Sequence, residues 1–266
     1  MTTETKLRFG VIGAGAFAEA CHVPGLLSHP QAEVVAICGR RTERARALAG
    51  RFSIPEVCAG PAELCARDDL DGIAICTPNA GHREQALLAF AHGKHVFCEK
   101  PLGLSVAEAE DMTRAAEASG RVHQVAFTYR YLHGIEELRR RVRAGDVGEP
   151  YLFRAHHEYW DGLRPGATLG WRELRAPAGG GVLYDSGSHF FDLARFVLGP
   201  IAAVKAVLQT LPRQGVETDD LAAAWFQLAS GARGQWHASR ITPPRSENYL
   251  QVVGTEGALE ALLSRG

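Results

Sequence analysis

Asp185 and His189 stand four residues apart, with Asp192 three further on, in the run Gly179-Gly180-Gly181-Val182-Leu183-Tyr184-Asp185-Ser186-Gly187-Ser188-His189-Phe190-Phe191-Asp192. If residues 185–198 form a helix after a flexible three-glycine lead-in, that spacing puts the carboxylate and the imidazole on one face. A carboxylate so placed can orient the ring and favour its charged form, which suits general acid or base work. The alternative is a helix-capping Asp185 and a hydrogen-bonded, buried His189. A second group is Glu99-Lys100-Pro101, directly after the apolar run 94–98. A lysine at the carboxyl edge of a sheet, beside a cofactor, could donate to a substrate oxygen; it could equally be a surface residue.

Two further groups are suited to a dinucleotide. Gly13, Gly15 and Ala18 follow the apolar run 9–12 at G-x-G-x-x-A spacing. Gly13 allows a tight turn, Gly15 lets the backbone approach a pyrophosphate, and Ala18 lets the helix pack on its strand, with helix-end N–H groups facing the anion. A glycine-rich turn without a ligand would look the same. At the end of the next apolar run, 33–38, stand Gly39, Arg40 and Arg41, with Arg44 one turn on. Sites for NAD usually place an acidic residue here for the ribose 2′-OH, whereas arginine accommodates a 2′-phosphate. Gly39 removes the repelling carboxylate. The alternative, a solvated arginine cluster opening a helix, is disfavoured by the helix dipole unless an anion sits nearby.

The elements that must hold these groups are legible as hydrophobic periods. Buried strands are expected at 9–12, 33–38, near Val57, and at 71–77, 94–98 and 122–127, alternating with helices at 42–52, 81–92 and 105–119. Ser105 with Glu108 three residues on makes a capping box for the last of these. Strands alternating with helices predict a parallel, doubly wound sheet whose ligand lies beyond the strand carboxyl ends, where Thr77, Asn79, His82, Glu99 and Lys100 fall. A first domain, 1–125, should close there. A helix through Leu132, Ile135, Leu138 and Val142 opens the second, 126–266, whose strands at 151–160, 203–210, 220–228, 234–241 and 249–253 lack intervening helices apart from 185–198 and so predict a mainly antiparallel sheet.

Composition restricts the rest. With 266 residues, 46% hydrophobic and 22% charged, the chain can bury full cores, and a formal net charge of −1 offers no general field for nucleic acid. No apolar run reaches membrane-spanning length, and MTTETK lacks the basic start and apolar middle of a signal peptide, so a cytoplasmic protein is expected. Six cysteines form no C-x-x-C pair; they read as reduced and mostly buried, and no metal site is expected.

The order of motifs, GVIGAGAFA, TPNAGH, EKP at 99–101, WR at 171–172 and GGGVLYDSGSHFFD, resembles the Gfo/Idh/MocA family of nicotinamide-dependent sugar and cyclitol oxidoreductases over nearly the whole chain. EKP followed by D-x-G-x-H-x-x-D is far more specific than any glycine motif. The resemblance implies an N-terminal Rossmann domain with a doubly wound parallel sheet, and a C-terminal α+β domain for substrate and oligomerisation with an open, mainly antiparallel sheet. It implies that Lys100 polarises the reacting hydroxyl or carbonyl, that His189 exchanges its proton with Asp185 assisting, and that hydride passes between substrate carbon and nicotinamide. To the dinucleotide contacts of the glycine turn (Gly13, Gly15, Ala16, Phe17, Ala18) and the basic segment (Gly39, Arg40, Arg41, Arg44) it adds Thr77, Pro78, Asn79, His82, Glu99, Lys100, Trp171 and Arg172.

The expected protein is therefore an NADP-preferring oxidoreductase acting on the CH–OH or C=O group of a sugar, cyclitol or similar polyol, with NAD as the other cofactor to consider. A homo-oligomer, dimer or tetramer, through the C-terminal sheet goes with it. The rivals are a glycosidase of the same fold with a tightly held NAD, and a non-catalytic dinucleotide sensor, which would not need Lys100, Asp185 and His189. Two departures from the family pattern stand out. Thr128 occupies the place, two before Arg130, where many relatives carry asparagine, and the chain stops soon after the G-T-x-G motif at 254–257, where relatives usually continue. Either strands lie beyond this sequence or the second domain is abbreviated.

Overall fold

The computed structural model describes residues 6–160, 168–242 and 248–263; the reading of MTTET lies outside them. The chain divides into two compact units between Ala126 and Phe127. In the first, β1 (Leu7–Ile12) leads through the glycine turn into a π-helical turn, Ala18–His22, and the short helix α1 (Val23–Ser28). There follow β2 (Ala32–Cys38), α2 (Thr42–Phe52), β3 (Glu56–Val57), α3 (Pro61–Cys65), β4 (Gly72–Ile75), α4 (His82–Ala91), β5 (His95–Cys98), α5 (Val106–Ser119) and β6 (His123–Val125). The strands run parallel in the order β3-β2-β1-β4-β5-β6.

This sheet is buried on both faces, which is why its inner strands read as unbroken apolar runs. All four residues of β4 are buried, and separate apolar clusters form, one around Ile73, Phe90 and Met112 and one around Val11, Ile37 and Leu48. The chain order reverses between β1 and β4, so the loops carrying Gly13 and Thr77 open at the point where such sheets take a ligand. Ser105 caps α5 by accepting from Glu108 N at 3.2 Å, while the Glu108 carboxylate turns to Leu104 N at 2.7 Å.

The second unit opens with α6 (His133–Arg143) and β7 (Pro150–Glu158) and continues through α7 (Arg175–Ala178) and α8 (Ser188–Leu198). The strands β8 (Ile201–Gln209), β9 (Leu221–Leu228), β10 (Arg233–Ser239), β11 (Asn248–Gly254) and β12 (Ala258–Leu262) complete it. The sheet order is β12-β11-β7-β10-β9-β8, and β7 with β10 is its parallel pair among antiparallel ones. One face carries Phe153, Phe226, Trp236 and Leu250 against Ile135, Leu138, Phe190 and Leu193 of α6 and α8. On the other face Val207, Trp225 and Leu262 are 66%, 62% and 72% exposed. β12 is not anticipated from the sequence: the G-T-x-G turn, closed by Gly254 N donating to Gly257 O at 2.8 Å, returns the chain for one more strand. Among the described residues no helix is long and apolar enough to cross a membrane.

Candidate functional site

The glycine turn is built as a backbone cradle. Gly13 has φ +111°, and a Cβ there would lie 2.6 Å from the Cys76 carbonyl oxygen, so only glycine fits. At Gly15 the nearest such atom is 4.0 Å away, which leaves the main chain open to a close approach. Ala18 is fully buried, Ala16 and Phe17 are exposed, and no side chain caps the turn. An uncapped helical start beside an open glycine fits a pyrophosphate.

The basic segment follows β2. Gly39 is packed against Ala14, with a Cβ position 3.2 Å from Ala14 Cβ and 3.3 Å from Ala14 N. Arg40 and Arg41 are exposed, Arg41 is the uncapped N-cap of α2, and among the described residues neither has a carboxylate partner. Arg44 differs: its Nη2 lies 4.0 Å from Glu19 Oε2, and Glu19 is shared with Arg51.

Beyond β4 and β5 the structure separates supports from exposed groups. Thr77 donates to Gln85 Oε1 at 2.7 Å, Pro78 is half-buried, and buried Asn79 starts the short 3₁₀ turn Asn79–Gly81. His82, expected among the cofactor contacts, is wholly buried, with Nδ1 2.8 Å from Pro101 O and Nε2 3.0 Å from Thr77 O. Its ring therefore ties the two loops together from beneath. Burial holds its pKa below the ordinary histidine value, against the opposing pull of the two carbonyls. Glu99 is also buried: Oε1 lies 2.6 Å from His22 Nε2, and Oε2 accepts from Lys100 N at 3.2 Å. The His22 ring meets Phe17 and Phe97 edge-on at 5.4 and 5.3 Å. His22 thus links the glycine turn to the Glu99-Lys100 segment, a role the sequence did not reveal. Half-buried Lys100 follows directly.

In the second unit Asp185 sits in a π-helical turn, Leu183–Gly187, and His189 in the first turn of α8. The expected helix is present, but its first turn is wider than α. Of the three glycines before it, Gly181 has a packing role. A Cβ on Gly181 would lie 1.9 Å from Asp219 O, and the Asp219 carboxylate accepts from Gly181 N at 2.7 Å and from Leu183 N at 2.8 Å. Gly181 thus allows the Asp219 segment to lie against the helix start and hold it.

His189 is buried and stacked on Tyr129, with centroids 4.1 Å apart and planes at 10°. Arg172 Nε is 3.7 Å from Asp185 Oδ2, and its guanidinium lies 4.5 Å over the Trp171 ring. Asp192 is committed elsewhere: its carboxylate accepts from Arg130 Nε at 2.7 Å and Nη2 at 2.5 Å, while Thr128 is exposed. A buried network supports the Trp171-Arg172 segment. Thr218 Oγ1 donates to Arg172 O at 2.8 Å, Arg240 Nε to the fully buried Asp220 at 2.7 Å, and Arg240 Nη1 to Glu173 at 3.4 Å. The sequence signal for these supports is the run Thr218-Asp219-Asp220 opening a strand, since carboxylates entering a core require partners.

The model of the NAD-binding Rossmann-fold oxidoreductase family matches residues 7–127, and that of the GFO/IDH/MocA C-terminal domain matches 135–260. The chain belongs to the Gfo/Idh/MocA family. Among the relatives of this Gfo/Idh/MocA protein, 1,5-anhydro-D-fructose reductase of Ensifer adhaerens is 33% identical over 255 residues, which are 95% of this chain and 74% of the relative. D-glucoside 3-dehydrogenase of Escherichia coli (strain K12) is 34% identical over 77% of this chain and 57% of the relative. A crystal structure of levoglucosan dehydrogenase with NADH and levoglucosan superposes with TM-score 0.92 at 30% identity, over 98% of this chain and 74% of that one. Across the first four relatives the chain spans 57% to 74% of their length.

Proposed function

We propose that this chain is an oxidoreductase that transfers hydride between NADP(H) and a CH–OH or C=O group of a sugar, cyclitol or similar polyol. The observation that carries the reading is the Glu99-Lys100 segment: Glu99 is buried and committed to His22, while Lys100 beside it stays half-buried at a strand's carboxyl end. A bound nicotinamide supplies hydride exchange. Lys100 holds the reacting oxygen and offsets its charge. His189, its ring fixed by Tyr129, takes or returns the hydroxyl proton, and Asp185 assists. Gly13, Gly15 and Ala16 to Ala18 receive the pyrophosphate. Thr77, Pro78, Asn79, Trp171 and Arg172 complete the cofactor's surroundings, with His82 and Glu99 supporting them from within.

The preference for NADP rests on Gly39 where a carboxylate would stand, and on Arg40 and Arg41 at an uncapped helix start. Self-association through the open sheet face is part of the proposal, supported by exposed Val207, Trp225 and Leu262. The test is to follow product and nicotinamide absorbance together while sugars, cyclitols and simple carbonyls are screened with NADP, NADPH, NAD and NADH. One cofactor turned over per product is expected, and it should fall sharply in Lys100→Met and His189→Ala. Sugar cleavage without net cofactor change would place the protein with the glycosidases, and dinucleotide binding without any turnover would make it a sensor.

A further inference from the structure

On the face of the second sheet turned away from α6 and α8, β7 and β10 bring two imidazoles and a carboxylate together. His156 and His237 are direct partners in the parallel register of these strands, and Glu158 lies two residues along β7 from His156, hence on the same face. That face is the one opposite Phe153, Ala155 and Trp236, whose side chains enter the core. Glu158 Oε1 is 3.1 Å from His156 Nε2 and 3.4 Å from His237 Nδ1, and all three ligand atoms lie within 4.8 Å of one another. Among the described residues no other group of three such side chains does so.

Hydrogen bonding does not account for this arrangement. His156 Nε2 and His237 Nδ1 are both shut off from solvent, and neither makes a hydrogen bond despite the carboxylate oxygen beside it. The two separations from Glu158 Oε1, 3.1 and 3.4 Å, are close to what a shared metal would impose. With zinc–nitrogen and zinc–oxygen bonds of about 2.0–2.1 Å, the edge of a tetrahedron between two ligand atoms is about 3.3–3.4 Å. We propose that His156, His237 and Glu158 form a binding site for one divalent transition metal of the zinc class on the open face of the C-terminal sheet.

Two imidazoles and one carboxylate are a borderline donor set that suits zinc and its neighbours better than calcium or magnesium, which prefer all-oxygen shells. Coordination through Nε2 of His156 and Nδ1 of His237 puts each remaining proton on the other ring nitrogen. The ring of His156 is already held: Tyr249, its register partner on β11, stacks on it at 5.6 Å with planes 5° apart. The side chains themselves are 22% (His156), 17% (Glu158) and 35% (His237) exposed, on the face from which a fourth ligand, water or a group from another molecule, would complete the shell.

The test uses the untagged full chain, stripped with EDTA and titrated with Co(II), then with Zn(II) in competition. Expected are the visible bands of four-coordinate Co(II), saturating at one equivalent and displaced by Zn(II). His237→Ala and the nearly isosteric Glu158→Gln should each bind at least tenfold more weakly while unfolding in EDTA at the wild-type midpoint. Zn(II) should also protect His156 and His237 of the wild type from diethylpyrocarbonate, as mapped by mass spectrometry; this arm decides the matter even if a variant does not fold. Absence of saturable binding, or protection mapped to other histidines only, overturns the site.

Discussion

Replacing Glu99 by alanine separates two roles for this residue: a contact to the dinucleotide, as the family resemblance implies, or the internal partner of His22. The two side chains are 10% and 4% exposed and 2.6 Å apart, so little solvent screening reduces their interaction. A hydrogen bond to a charged group contributes about 1.5–3 kcal/mol, and leaving His22 without its partner in a buried position costs a further fraction of the ~1–3 kcal/mol desolvation penalty. Because the terms overlap, a loss of about 2–4 kcal/mol is expected, out of a total stability on the order of 5–15 kcal/mol. The sequence supplies a clean assay. All six cysteines precede residue 127 and all four tryptophans follow it, so labelling of buried thiols in urea reports the first unit and tryptophan fluorescence the second. In Glu99→Ala the thiol-exposure midpoint should fall while the fluorescence midpoint stays, and a double-mutant cycle with His22→Ala should give a coupling of roughly 1.5 kcal/mol or more. An unchanged thiol midpoint in the cofactor-free protein, accompanied by weaker dinucleotide binding, would refute the pairing and leave Glu99 as a ligand contact alone.

Arg40→Ala should weaken NADP binding by about tenfold to a hundredfold and leave NAD binding nearly unchanged in titration, the loss of one charge-assisted contact of roughly 1.5–3 kcal/mol. Gly39→Asp is the less informative variant, because its Cβ would press on Ala14. Gly181→Ala should cost about 3 kcal/mol or more, or abolish folding of the second unit, since the new Cβ meets a main-chain oxygen at 1.9 Å; an unaltered fluorescence midpoint would contradict it. His82 has a folded pKa below its ordinary 6.5, so between the two values the unfolded chain holds the extra proton. Its stabilising effect is complete above about pH 6.5 and lost as the pH falls through the folded value, and His82→Gln should flatten the decline of the urea midpoint between about pH 7.5 and 5.5. In the native protein one thiol of six, exposed Cys21, should react fast at about pH 8, because burial pushes Cys38 up to about 12 and Cys65 to about 11, and raises Cys58, Cys76 and Cys98 as well; fast labelling of a second thiol would count against this packing.

What could be read from the sequence was what depends on neighbours along the chain. The apolar runs 9–12 and 71–77 became β1 and β4 because a doubly covered strand is apolar throughout, and Ser105 caps α5 because a cap and the N–H it accepts from lie within one turn. What escaped depends on partners distant in sequence. His22 meets Glu99 across 77 positions, Arg130 meets Asp192 across 62, and Gly181 meets Asp219 across 38. None of these pairs has a local period or spacing. The second unit shows the same limit in its backbone, where β12 has weak alternation and is recognisable only as the strand that pairs with β11.

These distant pairs also explain why the motif residues differ so much in burial. A group that meets a ligand must keep part of its surface open, yet it must be held still, and a half-buried side chain cannot be held by solvent contacts. The chain places buried polar pairs behind such groups: Glu99 with His22 behind Lys100, and Asp220 with Arg240 behind Trp171 and Arg172. Each pair is costly to break and makes little sense as a stability device, since apolar packing of the same volume would serve as well. Their value lies in direction, because a hydrogen-bonded pair fixes the orientation of the segment above it where an apolar contact would let it slide. His82 carries the argument furthest. It bears the residue type and the motif position of a ligand contact, yet its buried ring lies between the carbonyls of Pro101 and Thr77, where its neutral form donates to one of them, so its position suits it to holding these two loops in place.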